Sequence, residues 1–201
     1  MRAQIGWLLA FALSLSSVTP AAAQCPPAPL VGCRKPISSG KSSLMLRDRT
    51  TDTRDLLAWK WLKGDATSVA AFGDPTTTTA YALCLYDETA AVPALVQSIA
   101  VAPGGLCGGQ ACWKPRSHGF KYANKAGTPD GVVAVLLNDG GPGTAHISVK
   151  ATGLNLTPPA LPLQQDPKVT LQMQNDLGEC WDADYATAQR NESDNFKAKS
   201  D

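Results

Sequence analysis

From Ser42 to Tyr185 the apolar residues recur mainly at every second position. Leu44 and Leu46 alternate with Met45 and Arg47, and Leu57, Trp59 and Trp61 alternate with Ala58 and Lys60. Successive side chains of a strand point to opposite faces, so this period predicts half-buried strands. Turn signals at Gly64-Asp65 and Gly73-Asp74-Pro75 precede Thr76 to Asp87, where Tyr81, Leu83 and Leu85 oppose Cys84. Leu95 to Val101, Trp113 to Tyr122 and Ala145 to Gly153 continue the alternation, and Lys168 to Gln174 shows it most cleanly. Val132 to Leu137 is an unbroken apolar run, which predicts a central strand. In the stretch from Gly178 to Tyr185, Trp181, Ala183 and Tyr185 share one face and Cys180, Asp182 and Asp184 the other. About nine or ten strands separated by turn chemistry predict an all-β fold. The expected form is an antiparallel β-sandwich, jelly-roll-like or a partly closed barrel, stapled by disulfides.

The flanks read differently. Met1-Arg2, an apolar run from Ile5 to Val18 and Ala21-Ala22-Ala23 have the layout of a secretory signal peptide over residues 1–23. The alanine-rich leader has a bacterial character. Residues 24–41, with four prolines and no periodicity, predict an extended N-terminal arm; residues 42–201 then form one domain. From Ala186 onward the chain is polar, so a C-terminal tail is expected, with a helical turn over Thr187 to Asn191 and Phe196 as its apolar anchor.

Without Arg2 the basic and acidic residues balance at 17 each, and no linear cluster of basic residues stands out. That gives no electrostatic reason to expect nucleic acid or an anionic membrane as partner. Lipidation of Cys25 is disfavoured, because Gln24 precedes it where a small residue is required. All six cysteines follow the signal segment, an even number that predicts three disulfides among fifteen possible pairings. Proximity favours Cys25 with Cys33 and Cys107 with Cys112, which leaves Cys84 with Cys180. The last would close a loop of about 97 residues and contribute roughly 4 to 5 kcal/mol.

Candidate chemistry centres on Gly104 to Tyr122, where glycines and the Cys107/Cys112 pair predict a rigid loop. Trp113, Lys114, Arg116 and His118 cluster there and form the candidate ligand-binding set, with Trp113 offering a face for a sugar ring. Trp59 and Trp61 are assigned to the core. Asp182 and Asp184 share a strand face, where a carboxylate pair could serve as acid and base. His118 and His146 lack ligand spacing, and the Asn138-Asp139-Gly140-Gly141 turn lacks a calcium-loop series, so neither a metal nor a cofactor is expected. Ser38 to Ser43 echoes the end of a phosphate loop, but Lys35 stands where the first glycine belongs. No nucleophile elbow or zinc-protease signature is present.

The segments WKWLKG, FGDP, YALCLYD, CGGQACW, GFKYANKAGTPDG, GECWDADY and FKAKSD lie within Leu57 to Asp201. In this combination the chain resembles a group of secreted bacterial proteins without an established activity. The resemblance implies a secreted β domain and carries no catalytic residue. Together these readings lead to a non-catalytic secreted or cell-surface module that binds carbohydrate or another surface ligand. Two other readings stay open: a secreted hydrolase using a carboxylate pair, and a purely structural envelope component.

Overall fold

The computed structural model describes residues 23–201; apart from Ala23, the expected signal segment lies outside the described residues. The strands are β1 (Ser42–Arg47), β2 (Leu56–Gly64), β3 (Tyr81–Thr89), β4 (Val92–Val101), β5 (Leu106–Cys107), β6 (Gln110–Ala111) and β7 (Trp113–Arg116). They continue with β8 (Gly119–Ala123), β9 (Val132–Asn138), β10 (Ala145–Thr152), β11 (Val169–Asn175), β12 (Cys180–Tyr185), β13 (Ala188–Glu192) and β14 (Asn195–Lys199). An eight-stranded sheet runs β13-β14-β1-β2-β10-β9-β8-β7, and a four-stranded sheet runs β12-β11-β3-β4. All their strand pairings are antiparallel, and neither sheet closes on itself, so the fold is a sandwich rather than a barrel.

One core fills the space between the sheets. Leu44, Leu46, Leu57, Trp59, Trp61, Val135, Leu137, Ile147 and Val149 contribute from the large sheet, and Tyr81, Leu83, Leu171, Met173, Trp181 and Tyr185 from the small one. Fully burying a side chain of this size contributes about 1.5 to 3 kcal/mol. The indole N–H groups also need partners once they leave water. Trp59 Nε1 donates to Tyr185 Oη and Ser42 Oγ at 3.0 Å, and Trp61 Nε1 donates to the Asp182 carbonyl at 3.0 Å. The bonds to Tyr185 and Asp182 cross from one sheet to the other and fix how they face.

The N-terminal arm departs from expectation. Cys25 is bonded to Cys84 and Cys33 to Cys180, so the local Cys25/Cys33 pair and the Cys84/Cys180 pair are both corrected; Cys107–Cys112 forms as expected. The arm lies across the outer face of the small sheet as a strap. Gln172 clamps Leu30 through both backbone groups, its Oε1 accepting from Leu30 N at 2.9 Å and its Nε2 donating to Leu30 O at 2.8 Å. Arg34 pairs with Trp181 as an added parallel bridge, and the Tyr86 hydroxyl donates to Pro26 O at 2.9 Å. Alternation places Ala82, Cys84 and Tyr86 on the outward side of β3, and the strap covers this second apolar cluster.

The C-terminal tail is likewise structured. Residues expected to form a helical turn belong to the β13–β14 hairpin, and β14 pairs with β1 in register from Ser43↔Lys199 to Arg47↔Asn195. Phe196 and Ala198 enter the core while Lys197 and Lys199 face solvent.

Candidate functional site

Gly108 and Gly109, with φ of +63° and +80°, turn the chain between β5 and β6, and the Cys107–Cys112 bond closes the loop behind them. Trp113 follows, but its ring points inward. It is 2 % exposed, its Nε1 donates to the Ala102 carbonyl at 3.0 Å, and its ring packs against Tyr81 and Tyr122. It therefore offers no face to a sugar, which corrects its assignment as a ligand contact. The reason is phase: Trp113 pairs with Tyr122 across the β7–β8 hairpin, and both side chains belong to the core side. Lys114, Arg116 and His118 remain exposed at this edge; Lys114 Nζ donates to Gln110 at 2.8 Å, and His118 Nδ1 lies 3.2 Å from Asp139. His146 Nε2 contacts Asn138 instead, so the two histidines have different partners.

Register shows where the outward cations go. One row across the large sheet reads Lys199, Ser43, Lys60, Ser148, Leu136, Lys121 and Lys114, each paired with the next. The adjacent row reads Arg190, Lys197, Met45, Ala58, Lys150, Ala134 and Ala123. Between them these rows hold seven cations and no carboxylate. Strands lie about 4.8 Å apart, so Lys199 and Lys60 are about 10 Å apart and Lys60 and Lys121 about 14 Å. A third row contributes Arg47, and Glu192 enters only at the β13 margin. Single basic residues from separate strands are thereby gathered on one flank of an electrically balanced chain.

Carboxylates mark the opposite flank. Glu88, Lys35, Lys168, Thr170, Asp182 and Asp184 line a groove of about 380 Å³ bordered by arm residues 28–32. Lys35 Nζ donates to Asp184 Oδ2 at 2.7 Å and lies 3.7 Å from Asp182 Oδ2; Lys168 Nζ lies 3.2 Å from Asp184 Oδ1. Burial pushes Asp182 up to about 6; the neighbouring Asp184 charge adds to this, and Lys35 opposes it. For Asp184 burial also works upward, but hydrogen bonds from Lys35 and Thr170 and the two lysine charges outweigh it and hold the carboxyl below its usual range. For Lys35 burial works downward, and its contacts with Asp184 and Asp182 reverse that to a net rise. Asp184, neutralised by two ammonium groups, is a weak base. Asp182 is 5 % exposed, and its Oδ1 has no partner among the described residues.

Folded Asp182 keeps its proton to about pH 6, whereas the unfolded chain releases it near 4. Its favourable contribution is therefore full below pH 4 and is lost as the pH rises through 6. Asp184 acts oppositely, stabilising at neutral pH and losing that contribution on acidification. Asp182→Asn is expected to raise stability at pH 7.5 by about 1 to 2 kcal/mol and to change it little at pH 4. Urea unfolding at the two pH values measures this, and an equal gain at both would exclude carboxylate burial as the cause.

Compared with family models, with curated proteins and with solved structures, the chain matches none.

Proposed function

We propose that the protein is a secreted, non-catalytic binding module whose eight-stranded face takes a linear acidic polysaccharide. The observation that carries this reading is the pair of register rows with seven cations and no carboxylate. Lys114 and Arg116, singled out from the sequence, fall on this face beside Lys121. The outward positions of the two rows hold no aromatic side chain, which disfavours single-stranded nucleic acid, since bases bind by stacking. They do hold Ser43 and Ser148, whose hydroxyls suit a hydroxylated chain. Three disulfides supply a reason for placement in an oxidising compartment, where such polymers are met.

Binding to polygalacturonate should be measured by isothermal calorimetry, with dextran as the neutral control, across a salt series. Polygalacturonate is expected to bind with an affinity that falls as salt rises, because exposed charges are screened. A basic side chain near an anionic surface is worth about 1 kcal/mol, so reversing three of them removes at least about 3 kcal/mol. Joint Lys60→Glu, Lys121→Glu and Lys197→Glu substitution is thus expected to weaken binding at least about 100-fold. Equal binding of dextran, or unchanged affinity in the folded triple variant, would overturn the proposal.

A further inference from the structure

At the β13 end of the basic face lies a groove of about 390 Å³ lined by Met45, Arg47, Gln189, Arg190, Asn195 and Lys197. Arg47 and Asn195 are direct register partners on β1 and β14. Arg47 Nε and Asn195 Oδ1 are both buried, and neither has a hydrogen-bond partner among the described residues. An unsatisfied donor and an unsatisfied acceptor thus stand on neighbouring strands in one groove. Each is unfavourable while unpaired, since it has lost water without gaining a partner. A ligand carrying an anionic acceptor next to a hydroxyl donor would satisfy both.

Charge selects the same chemistry. Arg190 and Lys197, register partners on β13 and β14, flank the groove, and the nearby acid Glu192 stands 3.7 Å from Arg190 Nη1. A guanidinium presents its N–H groups as a planar fork matched to a carboxylate. Met45 adds an apolar wall on which the C–H side of a ring can rest. A cleft of this volume is at the small end of ligand sites and accommodates one sugar unit rather than several.

We propose that this groove is a subsite for a single uronic acid unit. Its carboxylate is received by Arg47 with Arg190 and Lys197 alongside, and an adjacent ring hydroxyl donates to Asn195 Oδ1. This assignment rests on the polyanion reading and adds the identity of the unit recognised; Lys60, Lys121 and Lys114 serve the rest of the chain through charge alone.

D-galacturonate, its neutral methyl ester and polygalacturonate, titrated separately by NMR and calorimetry, distinguish the two levels. Galacturonate is expected to shift the amide signals of β1, β13 and β14, and the methyl ester to bind at least about 10-fold more weakly. Arg47→Gln and Asn195→Leu are each expected to weaken galacturonate binding by about 10-fold or more, since each leaves a ligand group unpaired. The unfolding midpoints should not fall, because neither atom has a partner to lose among the described residues. Polygalacturonate should lose only a few-fold in these variants. Salt-sensitive polymer binding with no monosaccharide binding, or with equal binding of ester and acid, would overturn the subsite while leaving the polyanion face. Monosaccharide binding without polymer binding would overturn the polyanion face instead, and the absence of both would overturn both.

Discussion

Joint replacement of Cys33 and Cys180 by alanine is expected to lower stability by about 5 kcal/mol, the largest loss of any disulfide in the molecule. The bond spans 147 residues, against 59 for Cys25–Cys84 and 5 for Cys107–Cys112, and chain entropy rises with the logarithm of the loop closed. Geometry adds to that ordering. Cys33 and Cys180 are both buried, and beside them Arg34 N donates to Cys180 O at 3.0 Å while Asp182 N donates to Arg34 O at 2.9 Å. Releasing the bond therefore also frees the strap's hold on β12. For a chain of this length the thermal midpoint should fall by about 10 to 20 °C. The Cys25/Cys84 variant should lose about 4 kcal/mol and the Cys107/Cys112 variant the least. Denaturant unfolding of the three double variants gives the order directly, and a Cys33/Cys180 loss no larger than that of Cys107/Cys112 would refute it.

Gly119→Ala should damage the fold almost as severely. Gly119 opens β8 at φ +120°, a conformation that L side chains rarely adopt, and an added Cβ would lie 2.1 Å from the Leu137 carbonyl oxygen and 3.0 Å from its carbon. Those are main-chain atoms of β9, held on the other side by β10, so no side chain can swing away to make room. A loss of about 3 to 5 kcal/mol is expected, combining backbone strain with overpacking. Gly108→Ala is the control, since its φ is also positive but its Cβ meets nothing within 4 Å; it should cost about 1 to 2 kcal/mol. Similar losses for the two variants, measured by urea unfolding, would show that the contact with Leu137 does not matter.

The alternation of apolar residues made most strands legible, because each strand buries one face and period two is a local property. Leu57, Trp59 and Trp61 enter the core as their spacing requires. Trp113 obeyed the same rule. Its phase relative to Tyr122 marked it as inward, while its basic neighbours drew attention to the loop. The tail carried the pattern too, as Phe196 and Ala198 alternate with Asn195, Lys197 and Lys199, but a polar or charged residue at every outward position gave it the composition of a solvated segment. What could not be read was adjacency between distant strands. Cys25 meets Cys84 because the arm crosses β3, and no spacing between cysteines encodes that crossing. The basic face was invisible for the same reason. Lys60, Lys121, Lys150 and Lys199 are scattered over some 140 positions, and only the order β14-β1-β2-β10-β9-β8-β7 lines them up.

Joining β14 to β1 also determines when the molecule can exist. The first strand of the domain has β2 on one side from early in synthesis, but its other side stays open until the last residues of the chain arrive. Until then the Ser42–Arg47 backbone is an unpaired edge, and the core lacks Phe196 and Ala198. A growing chain cannot settle one half and then the other, since both sheets mix early and late segments: β1 with β14, and β3 with β11 and β12. Folding of such non-local architecture is slow, because distant segments must meet before either sheet is complete. Loss of residues 195–201 would remove β14, expose the free side of β1 and leave the basic face without its outer border.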